Sequence, residues 1–150
     1  MNVILENLYV SRELYSSLFH SVCTRYKLTP AELLVLMFLA NNTEYDTARD
    51  IVNKMKITKS HVSVSVRALE ERGYLKGCYE GRDRRTIHLQ LCEAASDILN
   101  DARRVQKQFL SVLGQGFTEE ELEKFRGYLQ RETDNINRYL QQSASVKAEA

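Results

Sequence analysis

The sequence predicts a mainly α-helical fold of six helices carrying one small β-hairpin. Apolar residues recur near the 3.6-residue period over most of the 150-residue chain. One stretch, Thr86-Ile87-His88-Leu89-Gln90-Leu91, instead alternates polar and apolar strictly, as a half-buried strand does. Helix breakers are scarce, with one proline and six glycines, so long uninterrupted helices are allowed.

The first helix is marked by Ile4, Leu8, Tyr15, Leu18, Phe19 and Val22 and ends before Lys27. The second opens at Leu28-Thr29-Pro30-Ala31-Glu32-Leu33. Thr29 is its N-cap, Pro30 sits at the first helical position, where a missing N–H is harmless, and Glu32 completes a capping box. Leu28 and Leu33 are spaced for a hydrophobic staple, and the body from Leu33 to Ala40 is apolar nearly all round, which calls for burial. After a polar break at Asn41-Asn42-Thr43-Glu44, Thr47 caps a short helix from Ala48 to about Met55, with Asp50 three residues on. A tight connection at Lys56-Ile57 leads to Thr58, the cap of a helix from Lys59 to Arg72. This helix turns Val62, Val66 and Leu69 inward and ends at Gly73.

Tyr74 to Tyr79 is the expected partner of the alternating strand, with Glu80-Gly81-Arg82-Asp83-Arg84 as the turn between them. Ala95, Ile98, Ala102, Val105, Phe109 and Val112 mark a fifth helix that stops near Gly114 and Gly116. Phe117-Thr118-Glu119-Glu120-Glu121-Leu122 repeats the capping box and staple, and Leu122, Phe125, Leu129, Ile136 and Leu140 mark the last helix. From Gln142 the chain is small and polar, so 142–150 is expected to be a flexible tail.

Composition excludes several classes. The length suits one domain whose core needs no covalent staples. With 43% hydrophobic and 27% charged residues, and no apolar run near the roughly 18 residues of a span, no membrane segment is expected. Met1–Val10 has no positive charge ahead of an apolar stretch and does not read as a secretory signal. Cys23, Cys78 and Cys92 are odd in number and widely spaced, which argues against a disulfide framework and for a cytoplasmic setting. No phosphate-cradling glycine loop, nucleophile elbow or paired metal motif is present, so no enzymatic activity and no cofactor are expected. Glu119-Glu120-Glu121 reads as a helix start favoured by the macrodipole. His20 and Cys23 share a helix face, but two ligands do not make a zinc site.

Charge is more informative by position than in total. The net charge is +1, yet Thr47 to Gln90 holds ten Lys/Arg against five Asp/Glu, a net +5 that leaves −4 for the rest. A basic middle between acidic flanks reads as one polyanion-binding face. Two short helices followed by a hairpin with an arginine-rich tip form a winged helix-turn-helix. Its second helix fits a major groove roughly 12 Å wide, and the tip suits the narrow minor groove beside it. The expected double-stranded DNA contacts are Thr58, Lys59, Ser60, His61, Ser63, Val64, Ser65 and Arg67 on the helix, with Arg82, Asp83, Arg84 and Arg85 on the wing. His88 is expected on a solvated strand face.

The same residues carry a resemblance to a known family. Leu28-Thr29-Pro30-Ala31-Glu32, Leu69-Glu70-Glu71-Arg72-Gly73-Tyr74-Leu75, and Asp83-Arg84-Arg85 followed by Ile87-His88-Leu89-Gln90-Leu91 resemble the MarR family (multiple antibiotic resistance regulators) over nearly the whole chain. The resemblance implies that Asp83 orients the wing turn and that Arg85 enters the minor groove. It implies a transcriptional repressor released by a small-molecule effector. It also implies a two-fold dimer built from 1–27 and 93–141, around a DNA-binding lobe at 28–92, that reads a palindromic operator. The chain departs from the family at Leu91-Cys92, where relatives carry Leu-Thr, at Ala95 in place of glycine, and at Val64, where relatives often have a basic residue. Cys92 is a poor N-cap, while Val64 suits a thymine methyl.

Tyr9, Tyr15, Phe19, Leu129, Ile136, Tyr139 and Leu140 are expected to be partly exposed in a monomer and covered in a homodimer. Tyr15, Phe19, Met37 and Phe38 are the candidate lining of a site for a small aromatic or amphipathic effector. Two alternatives stand beside the ligand-released repressor. One is a peroxide-sensing regulator using Cys23 as a low-pKa thiolate beside Arg25 and Lys27. The other is a winged-helix adaptor that binds protein rather than DNA.

Overall fold

A computed structural model describes residues 2–79, 81, 82 and 85–148, with side chains as far as 143. Two compact units divide the chain, 1–109 and 110–150. The first contains α1 (Val3–Tyr26), α2 (Pro30–Asn41), α3 (Ala48–Met55), α4 (Lys59–Glu71), and a hairpin of β1 (Leu75–Cys78) and β2 (His88–Leu91). A 3-10 turn at Glu93–Ala95 leads into α5 (Ser96–Gly114), which runs on into the second unit, and α6 (Glu119–Ala148) completes the chain.

Local capping sets these boundaries. The Thr29 N–H donates to Glu32 Oε2 at 2.9 Å while the Glu32 N–H donates to Thr29 Oγ1 at 3.2 Å, the reciprocal box expected from the sequence. Leu28 and Leu33 are both buried beside it. Thr47 and Asp50 form the same box at α3, tightened by the Thr47 hydroxyl donating to Asp50 Oδ2 at 2.6 Å. Thr118 and Glu121 form a third at α6. Beside it Phe117 stacks on Phe125, with ring centroids 6.0 Å apart, and stays half-exposed.

The core of the first unit draws on nearly every element. Leu36 of α2, Ile51 of α3, Leu69 of α4, Leu75 of β1 and Ile98 of α5 are fully buried, with Phe19 and Val22 of α1 against them. Phe19 was expected to be partly exposed, but at 5% exposure it belongs to this core, under the Tyr15 ring 4.3 Å away. The hairpin pairs Leu75 with Leu91 and Cys78 with His88.

Several boundaries differ from expectation, the first strand being Leu75–Cys78 rather than Tyr74–Tyr79. The second strand begins at His88 rather than Thr86, and the Ile87 side chain lies against Gly77, in space that a Cβ there would take. Ile87 is left exposed instead of continuing the buried row of Leu89. Before α5, Cys92 makes no side-chain cap bond, and a 3-10 turn takes up the entry instead. At the other end α6 continues through the segment expected as a tail as far as Ala148. No glycine or proline follows Gly127 to stop it, and glutamine, alanine and lysine favour helix. Among the described residues, no helix is long and apolar enough to cross a membrane.

Candidate nucleic-acid interface

The helix pair is joined by a short connection that only an unusual backbone allows. Lys56 adopts a left-handed conformation (φ 54) as the C-cap of α3. Thr58 then caps α4, its hydroxyl accepting from the His61 N–H at 3.4 Å. Val62 and Leu69 lock α4 into the core, which fixes the opposite face outward. On that face Lys59, Ser60, His61, Ser63, Val64 and Arg67 are all exposed, with Thr58 at its start. The set offers two cations, several hydroxyls and one apolar side chain, Val64, at 68% exposure.

Ser65 does not join them. It is 4% exposed, on the same face as Val62 and Leu69 at helical spacings of three and four, and so lies in the core side of α4. Its expected place among groove-facing residues is corrected accordingly.

The wing is tied down at its base. The Leu89 N–H donates to the Asp46 carbonyl at 2.7 Å, and His88 Nδ1 lies 2.7 Å from Asp46 Oδ1. His88 is therefore half-buried and paired with the residue preceding the α3 cap, not on a solvated strand face. From the other side, the Gly77 N–H donates to Glu70 Oε1 of α4 at 3.0 Å. Asp46, ahead of the α3 cap, and Glu70 of α4 thus both hold the hairpin, and Arg82 and Arg85 lie exposed beyond its strands. Asp83 and Arg84, expected beside them, lie outside the described residues, as does Glu80.

A cleft of about 770 Å³ opens on the first unit between α1, the start of α2 and the start of α4. Its walls include Arg12, Tyr15, Ser16, Phe19, His20 and Cys23 from α1, Leu28 to Leu34 in part, Ile57 and His61. Of the four residues expected to line an effector site, Tyr15 and Phe19 border this cleft. Met37 and Phe38 do not. Both are buried, with Met37 facing a separate crevice beside Leu99 and Ala102, because α2 is apolar on every side and turns only its first turn and Leu34 to the cleft. The polar wall of Arg12, Ser16 and His20 went unread, although its spacing of four along the Tyr15–Phe19–Cys23 stripe was visible.

The chemistry at Cys23 runs against a thiolate sensor. The residue is buried at 9% exposure, and burial, then the Glu32 charge, push its thiol up from the ordinary value. Arg25, expected to lower it, instead binds Asp101 at 2.9 Å. Tyr15 is pushed up as well, by burial and then by Cys23. The cleft therefore presents neutral thiol and phenol groups beside the basic Arg12.

Residues 26–86 match the model of the MarR family. The match spans the winged helix-turn-helix segment and less than half of the chain. No curated protein sequence matches the chain significantly. Among solved structures the MarR fold extends over most of it. The transcriptional regulator SlyA superposes with a TM-score of 0.78 at 17% identity, covering 91% of this chain and 96% of that one. A MarR-family regulator from Listeria monocytogenes complexed with a 26mer DNA gives 0.77 at 17% identity, covering 91% and 89%. Bordetella bronchiseptica BpsR, whose DNA binding is regulated by 6-hydroxynicotinic acid, gives 0.67 at 18% identity, covering 87% and 98%.

Proposed function

We propose that this chain is a DNA-binding transcriptional regulator of the MarR type, acting as a repressor and released by a small planar molecule. The observation that carries the reading is the exposed polar and basic outer face of α4, with a hairpin tied to α4 through Gly77 and Glu70. Lys59, Ser60, His61, Ser63, Val64 and Arg67 are exposed on α4, and Arg82 and Arg85 are exposed on the wing, both elements packing on one core. Phosphate contacts fall to Lys59, Arg67, the hydroxyls and the N-terminus of α4, while base contacts fall to His61, Ser63 and Val64. By family resemblance Arg85 reaches the minor groove, with Asp83 and Arg84 completing the wing. The Listeria relative, complexed with DNA, supports the docking.

Residues 1–27 and 93–141 form the dimer in this reading, and 28–92 the DNA-binding lobe. Exposed apolar side chains support it: Ile4, Leu8 and Tyr9 on α1, and Leu129, Ile136, Tyr139 and Leu140 on α6. Two recognition helices related by a two-fold axis would read an inverted repeat, with half-sites about 34 Å apart. The effector enters the cleft beside Tyr15 and Phe19, whose volume lies in the usual range for small-molecule sites. Arg12 and His20 favour an aromatic molecule carrying an acidic or phenolic group. BpsR, regulated by a hydroxylated pyridine acid, is the supporting relative.

A fluorescence anisotropy titration with duplex DNA at low and high salt tests the function. A steep linear fall of log affinity with log salt supports phosphate contact. Equal affinity and slope in wild type, Lys59→Ala and Arg85→Ala would refute the assignment of this face.

A further inference from the structure

Arg72 belongs to the basic middle segment, yet its guanidinium is turned inward rather than toward the outer face of α4. One nitrogen donates to the Lys27 carbonyl at 2.8 Å and the other to the Tyr26 carbonyl. These are terminal carbonyls of α1, which the helix itself leaves without partners. The same group lies over the Tyr74 ring, 4.9 Å from its centroid, and 3.9 Å from Glu32 Oε2, the carboxylate that closes the cap of α2. One side chain at the end of α4 thus touches the end of α1, the start of α2 and the residue leading into β1.

We propose that Arg72 is a positioning residue, a clasp that fixes the recognition helix against the end of α1 and so sets α4 at the angle DNA binding requires. The proposal rests on the reading of α4 as the helix that enters the groove. A planar guanidinium bridges two carbonyls and stacks on a ring at once, whereas a lysine ammonium, a point charge, cannot do all three. The placement also gives α4 two different ends. Its first turn, at His61, borders the cleft whose opposite wall is α1, while its last turn is held to α1 by Arg72. Arg72 is removed from the cations available to DNA and added to the machinery that aims them.

The test compares Arg72→Met and Arg72→Lys with wild type, in the full chain, by hydrogen exchange without DNA and by anisotropy on duplex DNA over a salt series. The clasp predicts faster exchange confined to 59–71 and the end of α1 in both variants. It also predicts roughly tenfold weaker DNA binding, the effect of losing charge-assisted bonds, with the salt slope unchanged. A phosphate-contacting Arg72 would behave otherwise, with a slope reduced by about one per lost contact in the Met variant and restored by Lys. That result overturns the proposal. So does unaltered exchange in α4, or exchange that quickens equally in every helix, and both are read whether or not the wild type binds DNA. Should Arg72→Met fail to fold, Tyr74→Leu, which removes only the ring under the guanidinium, should give the same local pattern in weaker form. Its absence there would equally overturn the clasp.

Discussion

Two valines two residues apart on α4 separate its outer face from its core face. Val64 is 68% exposed and Val62 is 1% exposed, so truncating each to alanine removes the same atoms from opposite environments. At Val64 the folded protein loses almost no contact, and stability should stay within about 0.5 kcal/mol of wild type. Truncation removes two carbons, at about 0.8 kcal/mol for each apolar carbon newly buried against DNA, and about two-thirds of the side chain is available for that burial. The loss on binding is then about 1 kcal/mol per recognition helix, or roughly fivefold in Kd for each half-site. Val62→Ala should do the reverse, costing about 2 kcal/mol of stability by opening a cavity under α4. Urea denaturation midpoints and anisotropy on one duplex give both numbers for both variants. If Val64→Ala binds within twofold of wild type, that position does not meet the bases, and the assignment of the reading face fails at its centre.

Other expected outcomes follow from the same structure. Lys59→Ala should lower the salt slope by roughly two in a dimer, one phosphate contact per chain, while Lys124→Ala, whose ammonium pairs with Glu120 on α6, should leave it unchanged. Thr47→Ala opens the reciprocal box at α3 and should cost about 1 kcal/mol in a urea titration; an unchanged midpoint would remove the cap from the architecture. Cys23 should react slowly with iodoacetamide at neutral pH and faster only above the ordinary thiol range, since burial and Glu32 raise it. Because the folded state holds that proton more tightly than the unfolded chain, the stability it contributes is complete below the unfolded thiol value and is lost as pH rises through the folded one. Wild type should therefore lose more stability than Cys23→Ala as pH rises above the unfolded thiol value of about 8.5. Thermal shift with aromatic acids should raise the midpoint of wild type, and Phe19→Ala together with Arg12→Ala should abolish the rise.

What was legible in the sequence is what local chemistry decides. Three capping boxes at Thr29, Thr47 and Thr118 placed helix starts to the residue, because both partners lie within four positions of each other. Ser65 was misplaced for a related reason. Its hydroxyl suggested the outer face, but helical geometry sets it beside Val62 and Leu69, and a small side chain fits there. Arg72 was counted with the DNA-facing charge because charge is visible and its partners, Tyr26 and Lys27, lie more than forty positions away. The same distance hid the Asp46–His88 pair and the Asp101 carboxylate that binds Arg25 and Tyr26. The cleft was half-read: aromatic spacing found Tyr15 and Phe19, but which side of an all-apolar α2 faces it is decided only by packing, and Met37 and Phe38 went the other way.

Selection of bound sequences from a random duplex pool, followed by sequencing, interrogates the DNA-binding face most directly. A dimer carrying two such faces should enrich an inverted repeat whose half-sites lie about ten base pairs apart centre to centre, with Val64→Ala altering preference at one position in each half-site. A pool that returns unenriched, or a single unrepeated motif unaffected by substitutions on α4, would contradict it.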